Sequence, residues 1–373
     1  MKKMGIVALL AIAILIALSQ TSYYRELIIL NWQDYLSQDV IQAFEEENDC
    51  IVTELTVASN EQMYANILNR KAPYDLVIPS DYMIDKMYKE GLLKEIDFSL
   101  LSNYGDDIFI PELNQLINSE ENIHYKNSFI PYFCGSLCIM YNKVNYPEIG
   151  DIIEEHGIDV FYEPELLPKN AKVAMYDSSR DAFAAAELYL GYSLNTTDKK
   201  ELDDCAKLIK DREFKIWGTD ELKIGVASGN IDVALMYSGD FFDVYYADSE
   251  GDHPEKVDNY GVYSPKKANN VFYDGLVIPI TSQETELAHK FLDFILEFDN
   301  NYTNADNVGY CPTLKSVYDD IMSDPEWEDV TSIGAYSPVE IIRSAKDKAE
   351  VYRDLGEEAY RYMEKLYQEV RFL

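Results

Sequence analysis

Four short segments each bring a carboxylate within three residues of an aromatic ring. They are Asn31-Trp32-Gln33-Asp34-Tyr35, Pro79-Ser80-Asp81-Tyr82, Tyr237-Ser238-Gly239-Asp240 and Phe272-Tyr273-Asp274-Gly275. This pairing suits an organic ammonium ion, because carboxylates accept its N–H bonds while ring faces attract the cation and cover its methylenes. Taken singly, each segment also has a plainer reading, with Trp or Phe in a core and Asp at a helix start. Recurrence is what marks them as a set. Signatures of other chemistries are missing: no GxSxG, HExxH, GxxxxGK[ST] or GxGxxG occurs. Paired carboxylates would also serve a glycoside hydrolase, but no spacing singles out an acid and a base. His124, His156, His253 and His289 are scattered and read as surface or loop residues.

All four segments border apolar runs. Glu26–Asn31 reads as a buried strand, Asp39–Asn48 as a helix with Val40, Ile41 and Phe44 on one face, and Ile51–Val57 as an alternating strand. Asn60–Arg70 is helical, Tyr74–Pro79 is apolar, and Tyr82–Glu90 is a helix stopped by Gly91. The middle repeats this grammar: strands at Ala171–Met175 and Asp232–Tyr237, helices at Arg180–Leu190 and Asp198–Asp211, and Glu221–Ser228 leading into the second strand. Leu276–Pro279 is a further strand, Thr285–Phe298 an amphipathic helix, and Pro338–Leu373 mostly helical. Such β-α-β order implies parallel strands with helices on both faces, and in open α/β sheets ligands sit at the strand ends. The fold class expected is α/β with two lobes and a cleft between them, because no flexible linker separates the halves.

Lys+Arg total 32 and Asp+Glu 67, for a formal charge of −35. This balance repels nucleic acid and anionic membranes and favours cationic solutes. Hydrophobic residues make up 47% of the 373, enough for a sizeable core and about two domains. Cys50, Cys134, Cys138, Cys205 and Cys311 form no CxxC and read as small buried hydrophobes, with a Cys134–Cys138 bridge as the lesser alternative. No metal or other cofactor is expected. Lys2 and Lys3 precede an uncharged run from Met4 to Leu18, the pattern of a signal peptide or of an uncleaved anchor extending to Tyr24, and either places the body outside the cytoplasm.

At this point the chain resembles the substrate-binding proteins of bacterial polyamine (spermidine/putrescine) ABC importers, within the extracellular solute-binding proteins of family 1. The resemblance rests on LNWQDYLSQDVIQAFEEEN, SNEQMYANI, YDLVIPSDYMIDKMYKEGLL, FIPYFCGSLCIMYN, DSSRDAFAAAELYLGYSLNTTD and YDGLVIP, in family order from about Glu26 onward. It implies a type II periplasmic-binding fold whose lobes close on the ligand, no enzymatic activity, a permease as partner and a monomer. The lobes implied are 25–133 plus 272–320 and 134–271 plus 321–373, after a leader of 1–24. Carried over by position, Trp32, Tyr35, Tyr237, Phe272 and Tyr310 are implied aromatic walls. Ser80 and Tyr82 are implied contacts, and Asp181 and Asp274 implied ammonium anchors. Asp34 and Asp240 match acids of putrescine-preferring members. Tyr237 stands where the family usually has Trp, which keeps a smaller platform. Ser178 stands where spermidine-preferring members have an acid and Gln33 where they have a small hydroxyl residue, so the resemblance implies a polyamine and leans toward putrescine or broad specificity. A same-fold receptor for another solute and an extracellular hydrolase are the alternatives.

Overall fold

The computed structural model describes residues 25–69, 72–120, 122–345 and 349–372; the expected leader lies outside the described residues. Among the described residues eleven strands form one connected sheet: β1 (Arg25–Asn31), β2 (Cys50–Thr56), β3 (Leu76–Val77), β4 (Phe129–Asn142), β5 (Val173–Tyr176), β6 (Ile216–Gly218), β7 (Val233–Tyr237), β8 (Tyr260–Tyr263), β9 (Asn269–Val277), β10 (Cys311–Pro312) and β11 (Ala349–Glu350). The order is β2-β1-β3-β9-β4-β7-β5-β6, with β8 and β10 on β4 and β11 on β9. β1 runs parallel to β2 and β3, and β5 parallel to β6 and β7, as the alternation of strands and helices requires.

β4 is the element that joins the halves. Its 14 residues are all buried. From Phe129 to Ser136 it pairs antiparallel with β9, and from Leu137 onward with β7 and β8. Two apolar clusters are built on this sheet, and the first extends past β4 to one face of β5 and β7 through Ala174, Ala234 and Met236. One is centred on β1, β3 and the helix Thr285–Ile295, the other on β5, β7 and the helices Ser179–Leu190 and Lys199–Arg212.

The structure corrects the reading of the sequence at five points. β9 begins at Asn269, so Phe272–Gly275 lie inside the strand and do not merely precede it. The helix expected over Thr285–Phe298 is broken at Leu296–Glu297, where Glu297 turns extended and a second helix, Phe298–Val308, begins. The helix Ser238–Ser249 was not legible, because its aromatic residues pack on several sides and leave no amphipathic stripe. His289 is no surface residue. Its Nε2 accepts from Asp97 N at 3.0 Å, its Nδ1 lies 2.7 Å from Thr285 O, and it is buried. All five cysteines are free and buried, so Cys134 and Cys138 are not bridged. Cys134 instead faces Cys311 across the β4–β10 pair.

Candidate functional site

Local sequence explains how the key carboxylates are aimed. Ser178 caps the helix Ser179–Leu190, its Oγ accepting from Asp181 N at 3.4 Å, which fixes Asp181 in the first turn. Asp240 occupies the same place in the helix Ser238–Ser249, accepting from Tyr237 N at 3.1 Å. Asp274 sits mid-strand in β9, bridged to Ser80 at the end of the segment after β3. Trp32 follows β1 directly, and its Nε1 donates to Ile78 O at 2.8 Å, which locks the indole.

These ends converge on one cavity of about 570 Å³. Trp32, Asp34, Tyr35, Ser80, Tyr82, Asp181, Tyr237, Asp240, Phe272, Asp274 and Tyr310 all line it. Among the described residues the lining holds nine acidic side chains against two cations, Arg180 and Lys223, so its field is negative.

Two tyrosine–aspartate pairs stand within it. Tyr35 donates to Asp274 Oδ2 at 2.5 Å, and Tyr237 donates to Asp181 Oδ1 at 2.5 Å; Tyr352 adds a bond to the same Asp181 oxygen at 3.2 Å. A line of edge-to-face rings joins the pairs: Tyr35 to Tyr310 at 5.0 Å, Tyr310 to Phe272 at 6.4 Å, Phe272 to Tyr237 at 5.2 Å, and Tyr237 to Tyr176 at 5.7 Å. The surface between the two acids is therefore aromatic, which suits methylenes, while both ends are anionic.

The acids are not equivalent. Burial raises Asp274 to about 6, partly offset by the Tyr35 bond and the nearby Ser80 hydroxyl. Its Oδ1 is buried without a hydrogen-bond partner. A buried acceptor left unpaired costs on the order of 1–3 kcal/mol, so this oxygen favours an incoming N–H donor. Burial likewise raises Asp181, against its bonds to Tyr237, Ser178 and Tyr352 and the charge of Arg180. Burial takes Asp240 to about 7, with Lys223 pulling the other way. Asp34 is exposed at the cavity rim in a left-handed conformation (φ 53°), and its Oδ2 accepts from Gln33 at 3.3 Å. Ser80 is tied through its N and Oγ to the Asn60 side chain at 3.1 Å each. Tyr82 donates to Glu61 at 3.0 Å, and its ring lies 5.8 Å from the Arg180 guanidinium, which also stacks on Tyr352 at 4.4 Å.

Several lining residues had no assigned role in the sequence reading. Asp81 is fully buried with Oδ2 unpartnered, and its pKa is raised well above the carboxylate range by burial. It lies within the PSDY segment, so its type and place were visible, but not its burial. Arg180 was visible beside Asp181, but not that two of its nitrogens, Nε and Nη1, lack partners. Tyr352 and Lys223 come from segments with no local signal.

Gly239 explains how close the rings come. A Cβ there would stand 1.8–2.2 Å from the Tyr310 ring carbons. Gly239→Ala is expected to displace Tyr310 from its contacts with Tyr35 and Phe272. Overpacking of this kind costs about 1–3 kcal/mol, read as a lower denaturant midpoint; an unchanged midpoint would show that the ring relocates freely.

Comparison with known proteins gives four further findings. The profile described as bacterial extracellular solute-binding protein matches residues 39–333. The putrescine-binding periplasmic protein SpuD of Pseudomonas aeruginosa is 31% identical over 307 residues, covering 80% of this chain and 81% of that protein. The spermidine/putrescine-binding periplasmic protein of Escherichia coli is 29% identical over 284 residues, 75% of each chain. Among solved structures, a putative spermidine/putrescine ABC transporter from Listeria monocytogenes superposes with a TM-score of 0.76 at 28% identity, covering 93% of this chain and 99% of that one.

Proposed function

The chain belongs to the bacterial extracellular solute-binding protein family, and from that premise we propose that it captures a polyamine outside the cytoplasm and presents it to the permease of an ABC importer. The relatives are periplasmic proteins named for putrescine and spermidine, and the cavity has the matching chemistry. The observation that carries the reading is the pair of buried aspartates, Asp274 and Asp181, joined by a continuous row of aromatic rings.

In this reading Asp274 takes one terminal ammonium, using the free Oδ1, and Asp181 takes the other. A charge-assisted bond of this kind contributes roughly 1.5–3 kcal/mol, and each ring over the cation or its methylenes about 0.5–2 kcal/mol. Trp32, Tyr35, Ser80, Tyr82 and Tyr310 act from the first lobe, as do Phe272 and Asp274 on the strand β9. Tyr237 and Asp181 act from the second. Asp34 at the rim and Asp240 deeper in the second lobe add to the negative field. The lobes are 25–133 plus 272–320 and 134–271 plus 321–373. A ligand touching both favours closure, because only the closed state makes every bond. The N-terminal segment exports or anchors the chain, which works as a monomer and leaves its ligand chemically unchanged.

The test is calorimetry and thermal shift with putrescine, cadaverine, spermidine, arginine and lysine. Micromolar or tighter binding of a polyamine, on the order of −8 kcal/mol or better, is expected, with the basic amino acids far weaker. No heat and no thermal shift with any polyamine would overturn the reading. Turnover of a sugar or ester panel would replace it with a hydrolase.

A further inference from the structure

The cavity contains an ammonium ion of its own. Lys223, on the short helix Glu221–Ala227, reaches Asp243 Oδ2 at 2.7 Å, Asp220 Oδ1 at 3.6 Å and Asp240 Oδ1 at 3.9 Å. Its side chain is only 15% exposed, and all four residues line the cavity. Of the three acids, Asp240 is the buried one, with its side chain 7% exposed. Its other oxygen is already used by Tyr237 N.

This cluster lies beyond the row of rings. Gly239, next to Asp240, has the Tyr310 ring directly over it, and Tyr310 meets Tyr35, the partner of Asp274, edge to face at 5.0 Å. A polyamine held at Asp274 and running along Tyr310 and Phe272 therefore heads toward two carboxylates. Asp181 feels the charge of the adjacent Arg180 but, among the described residues, has no cation within ion-pair distance, whereas Asp240 is already accompanied by Lys223. Two ammonium groups brought to one carboxylate repel each other at short range, and the repulsion grows as water is excluded.

We propose that Lys223 is a specificity-determining residue: its ammonium fills the Asp240 end of the cavity, so that the site accepts a diamine and disfavours a longer polyamine with a third cationic centre. The inference rests on the polyamine reading and adds to it a reason for chain-length preference. The lysine acts as an internal counterion that shortens the anionic part of the groove, and discrimination comes from repulsion of the longer ligand as well as attraction of the shorter one.

The experiment is calorimetry on the full chain near pH 8 with putrescine and spermidine, for the wild type, Lys223→Gln, Lys223→Met and Lys223→Arg. The wild type is expected to prefer putrescine. Both charge-free variants should raise the spermidine-to-putrescine affinity ratio by about tenfold or more, and Lys223→Arg should hold it within about threefold of wild type. Melting curves establish which charge-free variant is folded, and either suffices. A wild type that prefers spermidine, a ratio unchanged in a folded charge-free variant, or an equal shift in Lys223→Arg would each overturn the proposal. Wild-type protein that binds neither amine would instead remove the polyamine reading itself, and this inference with it.

Discussion

Asp274→Asn is expected to abolish ligand binding at micromolar concentration while leaving the free protein at least as stable at pH 8. The side chains are nearly the same shape, so packing around β9 is preserved, and the Asn Oδ1 can still accept from Tyr35. What disappears is the charge. Removing one partner of a buried, hydrogen-bonded charge pair costs about 2–5 kcal/mol of binding, a loss of roughly 30- to several-thousand-fold. Stability moves the other way. Asp274 is held at about 6 by burial, above the ordinary carboxylate value of about 3.9. A raised carboxyl contributes stability that is fully present below its unfolded value and is lost as pH rises through about 6. At pH 8 the ionised group is therefore a burden on the free protein, and the neutral amide removes it. Calorimetry paired with thermal unfolding checks both halves. Retained affinity would move the principal anchor away from Asp274, and lost affinity with a lowered melting temperature would make its role structural.

Acidification should weaken binding steeply. The ligand needs Asp274 ionised, so affinity is at its plateau well above pH 6 and declines as pH falls through that value. For one such group the loss is about tenfold per pH unit below its pKa, or about 1.4 kcal/mol. Asp181, also raised by burial, steepens the decline once it begins to take up a proton. The diammonium ligand does not titrate in this range, so the profile reports the protein alone. Affinity measured between pH 5 and pH 8 should fall by at least about tenfold toward the acid end, and Asp274→Asn should flatten whatever profile remains. A level wild-type profile would mean that neither aspartate carries the ligand's charge.

The net charge of −35 has only a background part in this. Glu46 and Glu47 are exposed, as a charged helix face should be, but Glu45 is half-buried and accepts from Val52 N at 2.7 Å. Acids outside the cavity supply a long-range field that salt screens within about 10 Å.

Much of the arrangement was readable from local pattern. Apolar runs of strand length alternating with helices specify parallel strands whose ends face one way; three of the four aromatic–acid segments fall at such ends, and the fourth lies inside the antiparallel strand β9. Strand and helix periodicity act over a few residues, so they survive in the one-dimensional text. The long strand β4 was harder because a wholly buried element shows no contrast between faces, and the helix Ser238–Ser249 because its aromatic residues are spread around it and leave no apolar stripe.

The residue types of the site, aspartate beside aromatic, were thus present in the chain from the start, as was the family they resemble. Their ranking was not. Tyr35 meets Asp274 across 239 positions, and Tyr352 meets Asp181 across 171. Lys223 accompanies Asp240. Which carboxylate keeps a free lone pair and which is already neutralised depends on neighbours that only folding brings within 4 Å. At that range burial and Coulomb interaction set the charge state of a group whose local sequence is nearly the same in every case.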